Sequence, residues 1–435
     1  MKNLSNVIGF LLITTNIIST LGLVRVIIVI DVRGCELVIN GIPISRIVEK
    51  YGTPLYVYDE DTIVTRISEV LENTRGVVYK IFYSMKANGN PYIVKLVYGR
   101  GLGIETVSPG EIYVATRAGV NPSDILFTGS SVSRKDLEFA ISMGVNINID
   151  SISALEKLCS LGYRGSIGIR INPMFGAGYH RYTVTGGHRV KFGIPISDVM
   201  KAIDVAKRCG IDVVRLHIHM GSGIDRVDLY LKVLEILVDI ARKIDSVEEL
   251  DLGGGFAIPY KPTDRRFPWR EFGEKLREKI RGLKADRYRI LIEPGRYIIA
   301  EAGILITRVT DVKILPNGIH IIGTDTGMNH LIRPALYGAY HEVIVANKLC
   351  EKPSIIVDIV GNLCESGDIL AYERKLPRVE EGDIIAIMNT GAYGYSMASN
   401  YNLRFLPPEV MISQDGRDIL IRKAQTYEDL LTYIP

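Results

Sequence analysis

The chain contains no G-x-x-x-x-G-K-[ST] segment, no C-x-x-C pair and no Cys/His spacing of the metal-site kind. The first absence removes the usual nucleoside-triphosphate cradle, and the others remove a dithiol redox motif and a structural zinc site. Charge of one sign is also lacking. The 52 Lys and Arg against 49 Asp and Glu leave a formal net charge of +3, spread without the basic stripe of a nucleic-acid binder. A small-molecule partner is therefore expected, and no nucleic acid. Five cysteines, Cys35, Cys159, Cys209, Cys350 and Cys364, make an odd number without paired spacing, which reads as reduced thiols in the cytoplasm. Neither a low-complexity linker nor a short-period repeat interrupts the chain.

At 435 residues the chain is long enough for two domains, or for one barrel with an appendage, and it can bury a sizeable core. Residues 1–34 form an apolar N-terminal extension, running from Val7 to Ile30 behind Lys2 and interrupted by Arg25. Asn6, Thr14, Thr15, Asn16, Ser19 and Thr20 dilute it, and no small-x-small cleavage site follows. It reads as an ordinary extension or an over-long start rather than a membrane anchor or targeting signal. A later methionine start does not fit, because the next methionine is Met85.

From about residue 60 to 303, short β-rich runs alternate with stretches of helical periodicity. The runs are Val77-Ser84, Gly101-Thr106, Ile125-Gly129, Val145-Asp150, Ser166-Asn172, Val213-His219, Glu248-Gly254 and Tyr288-Glu293. Eight runs separated by helix-length segments such as Val199-Cys209 and Val227-Ile244 predict an α/β fold, a closed (β/α)8 TIM-like barrel. Residues 304–435 change to hydrophobic strands with turn-rich connections, among them Ile304-Ile314, Ile319-Gly323, Ser354-Val360 and Asp383-Met388, and predict a C-terminal β-rich domain. Residues 35–59 carry the strand-like Leu37-Val38-Ile39 and Leu55-Tyr56-Val57-Tyr58, which are expected to join that β domain.

In a parallel barrel the functional residues gather at the C-terminal ends of the strands. Lys86 follows the first run, where an amine beside small residues is suited to a Schiff base with an aldehyde cofactor. Glu105, Arg170, His219, Gly253-Gly254-Gly255 and Glu293-Pro294-Gly295-Arg296 mark five further ends. Taken singly, Glu105 and Arg170 read as a structural ion pair and His219 as a satisfied core histidine. Together they share one phase of the fold. The glycine run and Gly221-Ser222-Gly223 suit an anion, because glycine lets backbone N–H groups approach a phosphate closely; each also serves simply as a turn into a helix.

Beyond these residues, the chain resembles the fold-type III pyridoxal-phosphate (PLP) decarboxylases, specifically the diaminopimelate decarboxylases. The matching segments, in order, are Tyr83-Ser84-Met85-Lys86-Ala87-Asn88, Ser108-Pro109-Gly110-Glu111, Arg170-Ile171-Asn172-Pro173, Lys191-Phe192-Gly193, His219-Met220-Gly221-Ser222, Gly253-Gly254-Gly255 and Glu293-Pro294-Gly295-Arg296. They continue through Gly327-Met328-Asn329, Arg333-Pro334-Ala335-Leu336-Tyr337, Cys364-Glu365-Ser366-Gly367-Asp368 and Gly391-Ala392-Tyr393. The resemblance implies a PLP-binding barrel, the cofactor linked to Lys86, His219 stacked on its ring and Glu293 facing the ring nitrogen. Ser222, Gly254, Gly295, Arg296 and Tyr393 are implied for the phosphate. Arg296, Arg333, Tyr337, Glu365 and Tyr393 are implied for meso-diaminopimelate, and Cys364 for protonation of the product carbon. The family's activity is the last step of lysine biosynthesis, releasing L-lysine and CO2, and its Cys364-bearing loop reaches the site of a second subunit. A homodimer with shared active sites is thereby implied.

Two departures from the family stand out: Met85 beside Ser84, where valine and alanine are common, and the apolar N-terminal extension, for which the family gives no function. Decarboxylases of ornithine, arginine or carboxynorspermidine are the nearest alternatives, and Glu365, where ornithine enzymes typically carry a shorter acid, favours diaminopimelate. An alanine-racemase-like enzyme has no distal group to bind, so Arg333-Tyr337 and Cys364-Asp368 argue against it. Intact Lys86, Glu293 and Cys364 argue against a catalytically dead PLP-fold regulator.

Overall fold

The computed structural model describes residues 34–178, 185–187 and 189–435. The apolar stretch from Val7 to Ile30 lies outside the described residues. Among those described, no helix is long and apolar enough to cross a membrane.

Eight parallel strands form the barrel: Lys80–Ser84, Gly103–Thr106, Ile125–Phe127, Asn146–Ile149, Ser166–Asn172, Asp212–His217, Glu249–Asp251 and Arg289–Ile292. They are the eight runs expected from the sequence: Ser166–Asn172 coincides with its run, Asp212–His217 starts one residue earlier and ends two residues earlier than its run, and the other six are shorter by two to four residues. Closure is direct, with Leu291 and Ile292 of the last strand in register with Lys80 and Ile81 of the first. Phe82, Leu126 and Leu291 fill the barrel interior as a small buried apolar plug. Above that plug the interior turns polar, with Glu105, Asn148, Arg170, His217, Asp251 and Glu293 all buried.

Local chemistry starts the barrel helices where the strands end. Asn90, Ser108, Ser133 and Ser151 are N-caps whose side chains accept a backbone N–H from the first turn, with Pro91 and Pro109 at the first helical position after two of them. In Ser108-Pro109-Gly110-Glu111 the Ser108 Oγ accepts from the Glu111 N–H at 3.2 Å, and the Glu111 carboxylate folds back to accept from Val107 N–H at 2.7 Å. That motif is thus a reciprocal helix start.

The second sheet is built around the long strand Gly303–Ile314. Leu55–Asp59 pairs with it antiparallel and with Glu409–Ile412 in parallel, while His320–Thr324 and Ile384–Ile387 also pair with it. Leu55–Asp59 therefore joins the β-rich sheet before the chain enters the barrel, whereas Val38–Ile39, expected to join it too, pairs instead with Ile42–Pro43 in a separate two-stranded ladder.

Four of the five cysteines are not free thiols. Cys35 is bonded to Cys350 and Cys159 to Cys209, leaving Cys364 as the free and exposed one. The expectation of reduced thiols fails because the partners are 315 and 50 residues apart, and only the folded chain brings their Cα atoms to 5.0 and 5.5 Å. Disulfides occur in oxidising compartments and also in intracellular proteins of hyperthermophiles, so cysteine content does not fix the compartment.

One buried histidine gives the fold a defined acid limit. His330 Nε2 lies 2.8 Å from the Phe405 carbonyl, and Nδ1 lies 2.8 Å from the Thr326 hydroxyl. A neutral ring satisfies both by donating to the carbonyl and accepting from the hydroxyl. Burial pushes its pKa down to about 4. Between the ordinary value near ~6.5 and that lower value the unfolded chain binds a proton that the folded chain refuses, so stability falls as pH falls through this window. Denaturant titrations at pH 7 and pH 4 should show the wild type losing about 3 kcal/mol more than His330→Gln. Equal losses would exclude His330 as the source.

Candidate active site

Lys86 sits in a short 3-10 turn, Met85–Ala87, directly after the first barrel strand. Its Nζ is 2.7 Å from Glu105 Oε2 on the neighbouring strand end. Burial works against the ammonium, but Glu105, with Tyr393 and Glu293 behind it, overcomes this and holds the pKa above the ordinary lysine value. The Glu105–Arg170 ion pair read from the sequence is replaced by this one. Arg170 instead lies over the Phe192 ring, 4.6 Å from its centroid.

The turn carrying Lys86 is tied to the β-rich sheet. Tyr393 N–H and Ser396 Oγ both donate to the Ala87 carbonyl, at 2.8 and 3.1 Å, and Asn88 Nδ2 donates to the Gly391 carbonyl at 3.2 Å. Gly391 admits no side chain, since a Cβ there would fall 2.0 Å from the Ile299 carbonyl oxygen. This contact delivers Tyr393 to the mouth of the barrel.

A cavity of about 380 Å³ opens there. Its lining includes Lys86, His219, Ser222, Arg296, Arg333, Tyr337 and Tyr393. Seven of the sequence-derived site residues thus share one wall system. Arg296 donates from Nη2 to Ser222 Oγ at 3.0 Å and from Nη1 to Tyr260 Oη at 2.8 Å, and its guanidinium lies over the Tyr393 ring. Arg333 contacts His341 Nε2 at 2.9 Å, and His341 Nδ1 is 2.8 Å from the Met388 carbonyl. Burial and then Arg333 hold His341 well below its ordinary pKa, so it accepts from Arg333 as a neutral ring. Two guanidinium groups are fixed in place before any anion arrives.

The glycine run has a steric cause as well as the anion-binding one read from sequence. Gly254 packs so closely on the eighth strand that a Cβ would lie 2.1 Å from the Glu293 carbonyl oxygen, and one on Gly255 would lie 2.2 Å from the Gly221 carbonyl oxygen. Gly223 and Ile224 N–H groups both donate to the Gly255 carbonyl, at 2.7 and 2.8 Å. From below, Tyr230 Oη donates to the Gly254 carbonyl at 3.0 Å while its ring stacks on Phe256. The Gly254 N–H donates to His219 Nδ1 at 3.0 Å, so His219 is an acceptor there. Burial, Arg170 and Lys86 all push its pKa well down, which keeps the ring neutral.

Glu293 is buried beneath Lys86, with Oε2 3.4 Å from His217 Nε2 and Oε1 without a hydrogen-bond partner. Cys364 and Glu365 do not line this cavity. They lie exposed on the loop Gly361–Asp368, where the buried Asp368 carboxylate accepts from Met328 and Leu363 N–H at 2.6 and 2.8 Å. Asn402 Oδ1 accepts the Cys364 N–H at 2.8 Å. The loop is built, and it faces outward.

Sequence reasoning missed Tyr260, Lys261, Asp264 and Tyr340 in the cavity wall, and His217 and Asp251 behind Glu293. Tyr260 to Asp264 follow the glycine run in the loop after the seventh strand, a place where barrel function concentrates. His217 ends the sixth strand two residues before His219, a spacing that repeats a strand face when the run is read from sequence.

The family model for the pyridoxal-dependent decarboxylase pyridoxal-binding domain matches residues 60–300. The diaminopimelate decarboxylase of Methanothermobacter thermautotrophicus is 39% identical over 91% of this chain and 95% of its own length. The chain belongs to the diaminopimelate decarboxylase family. The Aquifex aeolicus member is 35% identical over 92% of this chain and 96% of its own. The structure of the M. jannaschii enzyme in co-complex with L-lysine superposes with a TM-score of 0.84 at 32% identity, covering 93% of this chain and 96% of that one. The barrel and β-rich sheet expected from the sequence are those of the family. The site chemistry also fits a pyridoxal cofactor: an amine for its aldehyde, cationic and hydroxyl donors for its phosphate, and an unpartnered buried carboxylate oxygen.

Proposed function

We propose that this protein decarboxylates meso-diaminopimelate to L-lysine and CO2, using pyridoxal phosphate linked through Lys86. The observation that carries the reading is the convergence of Lys86, Arg296, Arg333 and Tyr393 on one cavity with Glu293 buried behind it. When bound, pyridoxal phosphate supplies an electron-accepting ring for the pair released as the Cα–carboxylate bond breaks.

Each residue then has a defined task. Lys86 must give up a proton from Nζ to become a nucleophile, and Glu105 at 2.7 Å is within reach to take it. His219, neutral and held by the Gly254 N–H, offers a flat ring face without adding charge. Glu293 keeps a negative charge for the ring nitrogen. Ser222, Gly254, Gly295, Arg296 and the Tyr393 hydroxyl hold the phosphate. Arg296 and Arg333 orient substrate carboxylate, with Tyr337 and Tyr393 as hydrogen-bond partners.

The distal ammonium and the product proton need Glu365 and Cys364, which in this reading come from a second copy of the chain. Their outward-facing loop supports that assignment, because it leaves both groups clear of their own cavity. The purified protein should release lysine from meso-diaminopimelate far faster than it decarboxylates ornithine, arginine or carboxynorspermidine. A preference for any of those three would move the substrate assignment to that compound.

A further inference from the structure

Three buried side chains on adjacent barrel strands form a cluster that the roles above only partly use. His217 ends the sixth strand and is in register with Asp251, which ends the seventh, and Glu293 follows the eighth. One ligand-type atom from each lies within 4.8 Å of the others, and all three side chains are at most 3% exposed. Asp251 Oδ1 accepts the Gly253 N–H at 2.9 Å. Its Oδ2, Glu293 Oε1 and His217 Nδ1 have no hydrogen-bond partner, and His217 Nε2 faces Glu293 Oε2 at 3.4 Å.

Two carboxylates this close, shut away from water, cannot both ionise cheaply. One must hold a proton or both must face a cation. Around them stand the cations Arg215 from the sixth strand, Arg170 from the fifth and Lys86 from the cavity above, with the neutral His219 ring beside Lys86. Such surroundings disfavour a metal ion, although the donor set resembles one.

We propose that His217 and Asp251 are positioning residues for Glu293: His217 donates Nε2–H to Glu293 Oε2, Asp251 sits beside it as the neutral acid, and Glu293 stays ionised with Oε1 left for the ring nitrogen. The titration directions agree. Burial first, and then Glu293, raises Asp251 well above a normal carboxyl; for Glu293 burial is again the largest single effect and acts the same way, but His217 and Lys86 together outweigh it and the group is held low. The proposal rests on the reading of Glu293 as the cofactor's partner.

The test compares His217→Gln, Asp251→Asn, Asp251→Leu and Glu293→Gln holoenzymes, singly and as the His217→Gln/Glu293→Gln double variant. The readouts are kcat, KM, the pH dependence of the bound cofactor's visible absorbance, and thermal midpoint. Because His217 acts through Glu293, His217→Gln should lower kcat ~10- to 100-fold with KM little changed and shift the absorbance titration, and it should add nothing in the Glu293→Gln background. Asp251→Asn, isosteric with the neutral acid, should keep kcat within about threefold, whereas Asp251→Leu should lose it as His217→Gln does. Additive losses in the double variant, an unshifted titration in His217→Gln, or Asp251→Asn as impaired as Asp251→Leu would overturn the proposal. One equivalent of tightly bound zinc or another divalent metal would do the same. If Glu293→Gln itself leaves kcat and spectrum unchanged, the reading of Glu293 fails instead.

Discussion

Lys86→Ala should abolish the visible absorbance of the lysine-linked cofactor and lower turnover by on the order of 10⁴-fold or more, since the covalent link requires that amine. Alanine also strands Glu105, whose side chain is 2% exposed and loses its ion-pair partner at 2.7 Å. A buried carboxylate left alone destabilises a fold, so loss of activity by this variant mixes chemistry with folding. Lys86→Arg separates them. The guanidinium keeps a positive charge beside Glu105 but does not form the imine, so this protein should fold with a near-wild-type thermal midpoint and remain inactive. Wild-type turnover in either variant would refute the assignment.

Cys364→Ala should keep the cofactor spectrum and lose lysine formation by ~10²- to 10⁴-fold, the range in which a positioned proton donor operates. The expectation is demanding because Cys364 is exposed and does not line the cavity of its own chain. Its backbone is nonetheless fixed by Asn402, and its loop by Asp368, so the thiol is presented by a built surface rather than a loose end. Mixing Lys86→Arg and Cys364→Ala proteins then gives a decisive result. If sites are shared in a two-fold dimer, subunit exchange rebuilds one intact site per mixed dimer and restores about one quarter of wild-type activity. No recovery, with exchange verified, would place the proton donor within the same chain or elsewhere.

The eight barrel strands were legible because each ends on turn chemistry that the sequence displays, such as Ser108-Pro109 and Asn90-Pro91 at the following helix starts. The strand-end rule then led directly to Lys86, His219, Arg296 and Glu293. What the sequence concealed depends on tertiary approach. Cys35 and Cys350 meet across 315 residues. Glu105 chose Lys86 over Arg170 because neighbouring strand ends bring those two together, with Ser84 and Glu105 in register. The glycine run looked like a phosphate cradle, and its tightest constraint proved to be backbone against backbone at Glu293 and Gly221. Asp251 and His217 read as ordinary strand residues until the register placed them side by side.

Borohydride reduction of the purified holoenzyme, followed by mass-spectrometric mapping of the pyridoxyl-modified peptide, identifies the lysine that carries the cofactor. A single modification on Lys86 is expected, with loss of lysine release from meso-diaminopimelate in proportion to labelling. A modification on another lysine, or full activity with Lys86 unlabelled, would contradict the assignment of Lys86.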